Sequence, residues 1–355
     1  AKKHLAQNIP ASPGVYIFKD AKGEALYVGT SKNLRSRVRT YFTSAETRKR
    51  IREMIALTER IDYIVTPTAL EAAVRELRLI QGAKPRYNRR SRFPERVAWI
   101  KLTDENFPRL IISKGAPKSS SGAIGPISGG AAIEGALAAI HEQLPLRQCK
   151  PRITDRSMKN ASPCILFEIN KCGAPCIGNQ SLANYHEIVA KFKYFLEVDF
   201  RELSESSNLK MSQLAISERF EEAIEVRDRY AHLLRAASRT ERLASIANIP
   251  TLIVAKPIGD YFEFASIKFG KLAATCTSNA TTSVATALSN LKLISEQVPD
   301  DGFLQQVNHE EVQLLLNYLD SEGVRLVELV GQYAMATFGP NSQISKISNY
   351  DLAMA

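Results

Sequence analysis

No stretch of the 355-residue chain is apolar for the roughly 18 residues that a membrane-spanning helix needs. The first residues, Ala1 to Asn8, contain no apolar run of the kind that directs secretion. The expectation is therefore a cytoplasmic protein with no membrane partner. The chain also lacks an initiator Met, and it reads as a piece of something longer. Cysteine is scarce, with five residues, too few for a disulfide scaffold at this length. Intrinsic disorder throughout is excluded by composition, since 45% of residues are apolar and 24% charged. The length suits two or three domains.

Acidic residues are scarce where basic ones are dense. The net charge is +10, and residues 1–100 hold 21 Lys and Arg against 9 Asp and Glu. Residues 101–240 hold 19 against 16, and residues 241–355 hold 7 against 12. A basic excess concentrated in the first hundred residues points to a polyanion, with nucleic acid favoured over a membrane surface. Composition alone leaves an ordinary solvated basic face equally open.

Gly14-Val-Tyr-Ile-Phe18 and Ala25-Leu-Tyr-Val28 are β-branched and aromatic runs separated by a turn-rich segment, which predicts a hairpin. Ser31 is the expected cap of a helix over Asn33–Phe42, followed by a helix over Ala45–Leu57, a strand over Ile61–Val65 and a helix over 69–81 stopped by Gly82 and Pro85. The order β-β-α-α-β-α makes a small α/β unit. Short strands are expected at Trp99–Leu102 and Leu110–Ser113, a Ser/Gly/Pro-rich loop over 115–130 and a helix over Ala131–Glu142. Further on, 183–205 reads as strongly helical, 208–240 as a helical pair, and 251–277 as three short strands. Helices near 281–294 and 308–319 and a strand near 325–329 follow, and the last fifteen or so residues read as loosely ordered. The fold class is α/β (α+β). The expected domains are 1–95, 96–180 with the cysteines, 181–245 as a helical region, and an α+β domain of unassigned role over 246–355.

Several side chains in the first domain suit phosphodiester hydrolysis. Tyr16 and Tyr27 sit at matching places on the hairpin strands and are expected on one side. A phenol is a poor base at its ordinary pKa near 10, and cations or hydrogen bonds can lower it. Arg37 offers a guanidinium fork for phosphate. Glu76, inside a helix, suits a hard divalent cation. Singly, each also reads as core, interface or a solvated face; the carboxylate of Glu76 with Arg75 and Arg78 beside it is an example.

Their order and spacing are more specific. Gly14-Val15-Tyr16, Tyr27-Val28-Gly29, Asn33-Leu34-Arg35-Ser36-Arg37, Glu76 and Pro85-Arg86-Tyr87-Asn88 together resemble the GIY-YIG nuclease domain. Within that superfamily the chain is most similar to the UvrC and Cho excision-repair endonucleases. The likeness continues through Trp99-Ile-Lys-Leu-Thr103 and Phe107-Pro-Arg-Leu110, covering roughly residues 10–240. It implies a small sheet domain that nicks DNA with Mg²⁺ or Mn²⁺. By that resemblance Glu76 matches the metal-binding carboxylate, Tyr27 the tyrosine that deprotonates the attacking water, and Tyr16 its companion near the scissile phosphate. Arg37 matches the arginine that neutralises phosphate charge, Tyr41 an aromatic lining the site, and Asn88 the residue that closes the domain. Lys32, Arg35, Arg39, Arg86, Arg89 and Arg90 border this site and are the expected DNA contacts. One departure is Thr30, where the family usually has Lys.

Cys149, Cys164, Cys172 and Cys176 are spaced by 14, 7 and 3 residues. Four thiolates suit zinc or an iron–sulfur cluster, and the absence of paired Cys-x2-Cys knuckles fits [4Fe–4S] better than a zinc ribbon. Buried free cysteines remain the plain alternative. The resemblance also implies an iron–sulfur cluster here. Cys276 stands apart and reads as a simple apolar residue.

Phe220-Glu-Glu-Ala-Ile-Glu-Val-Arg-Asp228 resembles the UVR motif by which UvrB and UvrC associate, implying a UvrB-type helicase as partner; intramolecular packing of the helical pair is the alternative. Residues 251–330 carry no recognisable motif. The resemblance implies nucleotide excision repair with a cut 3′ to the lesion. It is similar as well to the GIY-YIG part of actinobacterial exonuclease fusions. Two other functions stay open: a non-catalytic module that binds DNA and UvrB, and a nuclease acting on branched DNA.

Overall fold

The computed structural model describes residues 2–43, 47–114, 117, 121–158, 161–299 and 308–344. The loosely ordered tail expected from the sequence lies outside the described residues. In chain order the elements begin with β1 (Gly14–Lys19), β2 (Ala25–Ser31), α1 (Leu34–Thr40), α2 (Lys49–Leu57), β3 (Arg60–Val65) and α3 (Ala69–Ala83). Next come β4 (Ala98–Leu102), β5 (Leu110–Ser113), β6 (Ala123–Ile127), α4 (Gly130–Gln143), α5 (Asp155–Met158) and α6 (Ile165–Glu168). The long helices are α7 (Leu182–Glu197), α8 (Arg201–Ile216) and α9 (Phe220–Ala247). The chain continues through β7 (Thr251–Ile258), β8 (Tyr261–Lys268), β9 (Lys271–Thr277), α10 (Val284–Ile294), α11 (His309–Leu319) and β10 (Arg325–Val330). The mixture of helices and three antiparallel sheets is the expected α+β class.

Two compact units result. Among the described residues, the first joins 2–94 with 246–299 and 308–333, and the second holds 95–245 and 334–344. Two of the ranges expected as separate domains, 1–95 and 246–355, therefore share most of one unit.

In the first unit β1 is the middle strand of an antiparallel sheet ordered β2-β1-β3. Val15 and Ile17 pack with Val28 and with Ala72 and Ile80 of α3. On the opposite face Tyr16 and Phe18 pack with Leu34, Val38, Met54 and Tyr87. A strand covered on both faces needs apolar residues at every position, which is why Gly-Val-Tyr-Ile-Phe does not alternate. Gly14 is required because a Cβ there would collide with the backbone carbonyl oxygen of Ile64 on β3.

The hairpin register differs from the expected one. Tyr16 pairs with Gly29, and Tyr27 pairs with Phe18. The side chain of Asp20 accepts from the N–H groups of Lys22 and Glu24, shaping a turn that offsets the two tyrosines by two residues. An even offset keeps both phenols on one face, so that part of the expectation holds.

Helix ends also moved. Asn33, not Ser31, caps α1, accepting from the Ser36 N–H at 2.9 Å; Ser31 is still paired with Gly14 in the sheet. Thr68 caps α3 through the Glu71 N–H. That helix runs past Gly82 and ends at Lys84, which takes the left-handed conformation (φ 47°) before Pro85.

The remainder of this unit is a sheet ordered β10-β7-β8-β9, with α10 covering Ile253, Ala255 and Phe264 through Ala287 and Leu291. It meets α3 through one polar stripe of that helix. The Arg78 guanidinium makes a two-pronged pair with the buried Glu311 carboxylate at 3.0 and 2.7 Å. Gln81 Nε2 donates to Glu310 Oε2 at 2.8 Å, and Thr68 Oγ1 donates to Thr275 Oγ1 at 3.1 Å. Arg78, itself partly open to solvent, is therefore also the ion-pair partner of a buried carboxylate.

The second unit is built around a sheet ordered β5-β4-β6. Ile100, Ile124, Ile133, Ile140, Tyr185, Phe192, Leu233 and Leu234 share its main core. Strand β6 lies inside the segment expected to be a loop. Its Gly125-Pro126 pair hides the strand signal, and an edge position tolerates the missing proline N–H. The stretch expected to be strongly helical over 183–205 is helical but divides at Val198–Phe200, where the Asp199 carboxylate accepts from the Arg201 N–H at the start of α8.

Arg147 is wholly buried in this unit. It pairs with Glu105 at 2.7 Å and donates to the carbonyls of Phe107, Cys149 and Pro151. Arg147→Met keeps the bulk but strands the Glu105 carboxylate, whose side chain is 11% exposed. A stability loss of about 3–5 kcal/mol is expected, read as a lower urea midpoint for the transition of this unit.

Candidate active site

Tyr16, on the middle strand of the sheet, is buried in the aromatic cluster of one sheet face. The Tyr16 ring lies across Gly29 so closely that any Cβ at that position would strike its phenol oxygen. That contact explains why glycine stands at the end of Tyr-Val-Gly. Tyr41, at the C-terminal end of α1, brings a third phenol, and the Tyr16 and Tyr41 hydroxyls are 2.8 Å apart. The Tyr27 ring centre lies 6.2 Å from each of the other two. Arg37, one turn before Tyr41, sets its guanidinium 5.4 Å from the Tyr41 ring centre.

Burial dominates the proton equilibria. The Tyr16 phenol is pushed up to about 12, chiefly by desolvation and then by Tyr27, against the lowering effects of Tyr41 and Arg37. Tyr27 and Tyr41 are driven higher still, again mainly by desolvation. The lowering that sequence reasoning allowed is not produced by the protein's own groups. Arg37 acts in that direction, but burial outweighs it.

Glu76 comes to the same place from α3. Desolvation raises its pKa, and the Thr30 hydroxyl, donating to Oε2 at 3.2 Å, opposes that shift. Thr30 is its one hydrogen-bond partner among the described residues. The position that lacks the family lysine thus holds the carboxylate. Asn88 locks the edge of the sheet: its Oδ1 accepts from the Val28 N–H and its Nδ2 donates to the Val28 carbonyl, both at 2.9 Å. The edge strand is thereby capped where it would otherwise present free backbone groups.

Glu76 and Tyr27 open into a cleft of about 850 Å³. Among the expected DNA contacts, Arg89 and Arg90 line it, and Lys32, Arg35, Arg39 and Arg86 do not. Arg35 donates to the Ile9 carbonyl at 2.8 Å and so ties down the N-terminal segment. Lys32 is within electrostatic reach of Glu263 on β8. Arg39 is exposed outside the cleft, and the Arg86 guanidinium lies 5.8 Å from the Tyr87 ring centre. Sequence reasoning missed Arg48, Lys49 and Arg50, which also line the cleft. The available signal was three successive cations at the start of α2, where the helix dipole disfavours positive charge.

The donors in this cleft suit a hard divalent cation: a half-buried carboxylate with free lone-pair capacity, set among phenol oxygens. Mg²⁺ commonly takes one or two protein carboxylates and fills its remaining positions with water and phosphate oxygens.

The cysteines are different. Cys149 accepts from Arg147 Nη1 at 3.3 Å, Cys164 is exposed, Cys172 is buried and Cys176 is half-buried. Burial raises the Cys172 and Cys176 thiols, with smaller contributions from the neighbouring cysteines. No group of three or more Cys, His, Asp or Glu side chains among the described residues is placed to hold a metal. The expected iron–sulfur or zinc site is not supported by this geometry, and no chemistry is assigned to it. Cys276 Sγ donates to the Ala287 carbonyl within the β9–α10 packing, in keeping with a plain core role. No helix among the described residues is long and apolar enough to cross a membrane.

The chain is similar to several known proteins. A Mycobacterium tuberculosis protein named as a bifunctional exonuclease/endonuclease is 34% identical over 330 residues, which is 92% of this chain and 50% of that protein. UvrABC system protein C of Clostridium acetobutylicum is 32% identical over 242 residues, 68% of this chain and 38% of that protein. The chain thus spans half or less of the curated relatives it matches. The magnesium-bound N-terminal endonuclease domain of Thermotoga maritima UvrC is 31% identical, covering 24% of this chain and 94% of that domain with a TM-score of 0.23. Residues 12–89 match the UvrC-like GIY-YIG domain and residues 97–195 the middle domain of the UvrC/Cho excinucleases, so the chain carries the paired domains of the UvrC/Cho family.

Proposed function

We propose that the chain is a divalent-cation-dependent DNA endonuclease that hydrolyses one phosphodiester bond 3′ to a lesion in nucleotide excision repair. The carrying observation is the cleft that brings Glu76 and Tyr27 together with Arg89, Arg90 and the cations at the start of α2.

Glu76 would hold Mg²⁺ or Mn²⁺, which supplies Lewis-acid polarisation of the phosphate when bound. The chain's own groups do the rest. Cations along the cleft bind the DNA backbone, and the Arg37 guanidinium stabilises charge that builds on the phosphate. Tyr27 orients the attacking water and takes its proton. Because its phenol is protonated at neutral pH, the fraction competent as a base grows with pH. The log of the nicking rate is therefore expected to rise with unit slope from pH 6 to pH 9. Tyr27→Phe should lose about a hundredfold or more and flatten that slope. A steep profile surviving in Tyr27→Phe would assign the base elsewhere.

Glu76→Gln separates chemistry from folding. It should abolish Mg²⁺-dependent nicking of a lesion-bearing duplex. A desolvated carboxylate with a raised folded-state pKa favours folding in its protonated form, so its contribution is present below the unfolded pKa of about 4.3 and lost as pH rises through the folded value. The variant should then melt above the parent at pH 7, with the gap closing toward pH 4. Salt-sensitive DNA binding by a parent that never cleaves in Mg²⁺ or Mn²⁺ would replace the nuclease by a binding module.

The proposal extends to a UvrB-type helicase as partner. The α8–α9 hairpin buries Ala223, Val226 and Tyr230 but leaves Ile216 84% exposed at its tip, with Phe220 and Ile224 beside it also exposed. An apolar tip on a helical pair suits a partner's apolar groove. Phe220→Asp should lose co-elution with such a helicase and leave unassisted nicking unchanged.

A further inference from the structure

The cleft is not built from the nuclease sheet and its helices alone. Glu310 and Leu314 of α11 line it together with Glu76 and Tyr27. Both belong to the C-terminal part of the first unit, beyond residues 12–89 and 97–195 that match the known domains. Resting on the nuclease reading above, we propose that α11 is a wall of the cleft and that Glu310 determines specificity, confining the DNA backbone to the side lined by Arg48–Arg50 and Arg89–Arg90.

Three observations carry this. The wall is fixed, because α11 is joined to the helix that bears Glu76. Glu311, next to Glu310, accepts both prongs of Arg78 and also the Leu272 N–H at 2.9 Å. Asn308 caps α11 and bonds to Gln81 of α3. The orientation of Glu310 is fixed as well, since Gln81 holds Oε2 at 2.8 Å. Finally, the charges are of opposite sign within one cleft. A carboxylate lining a cleft rich in cations repels phosphates near it and leaves those beside the cations undisturbed. A backbone entering the cleft is therefore directed away from α11, and Leu314 offers apolar contact to whatever lies between.

The test measures binding of the full chain to a fluorescein-labelled oligonucleotide duplex in EDTA, so that no cleavage intervenes. Glu310→Gln removes the charge and keeps an amide oxygen for Gln81. It should bind about fivefold more tightly at low salt, with the gain shrinking as salt rises. Glu322→Gln makes the same change in net charge at an exposed site of the same unit outside the cleft, and it should bind as the parent does. Glu310→Ala, which also discards the Gln81 bond, should match Glu310→Gln. Unchanged affinity in Glu310→Gln, equal gains in Glu310→Gln and Glu322→Gln, or a gain confined to Glu310→Ala would each overturn the proposal. The nuclease reading fails separately: a parent that binds the duplex but never nicks it in Mg²⁺ sinks that reading alone.

Discussion

The site depends on the helix α3 being used on three sides at once. Ala72 and Ile80 press it against the middle strand of the sheet. Ala73, Glu76 and Leu77 face the cleft. Thr68, Arg78 and Gln81 are spent on the C-terminal sheet and α11. A helix buried on one side only can roll, and a carboxylate on it moves as it rolls. Held between an apolar face and a polar stripe, α3 cannot turn without breaking either the packing or the Arg78–Glu311 pair, which would leave the buried Glu311 carboxylate uncompensated. The geometry of Glu76 is thereby tied to residues more than two hundred positions away in the chain.

Within the cleft, charge is arranged by depth. The inner part of the cleft is nearly neutral: the protonated Tyr27 phenol and a carboxylate whose ionised form is disfavoured by burial, with Tyr16 and Tyr41 buried in the core rather than on the cleft surface. The cations stand around it on α2 and after Asn88. An inner part poor in positive charge strengthens any electrostatic interaction that a substrate phosphate and a bound cation bring with them. The rim supplies attraction at longer range, which suits a polyanion. Thr30 belongs to this arrangement, because a hydroxyl on Glu76 orients the carboxylate without neutralising it as an ammonium would.

Much of the first domain was legible in the sequence. The two tyrosines, Arg37, Glu76 and Asn88 stand at motif positions, and the sheet face gathers the three phenols, with Arg37 beside Tyr41. Both motif glycines have a steric cause, one under the Ile64 carbonyl and one under the Tyr16 ring. Legibility failed where partners are distant. The ion pair of Arg78 was invisible because Glu311 lies 233 residues on. Strand β6 read as loop because glycine and proline break its pattern and only its neighbour β4 restores it. The bond from Arg35 to the Ile9 carbonyl is likewise invisible in composition. The cysteine spacing suggested a shared ligand that the folded positions do not support.

By itself the sequence determined the element order of the first domain, the residue types of the site and the concentration of positive charge in the first hundred residues. These follow from periodicity, turn chemistry and side-chain identity, which are local. Only the tertiary structure decided which cations line the cleft, that Thr30 rather than a lysine meets Glu76, and that α11 closes one wall. Those outcomes depend on long-range pairing, such as Arg78 with the buried Glu311 and Gln81 with Glu310, where a polar group leaves water only if its distant partner is in place. No local pattern in either segment records the other.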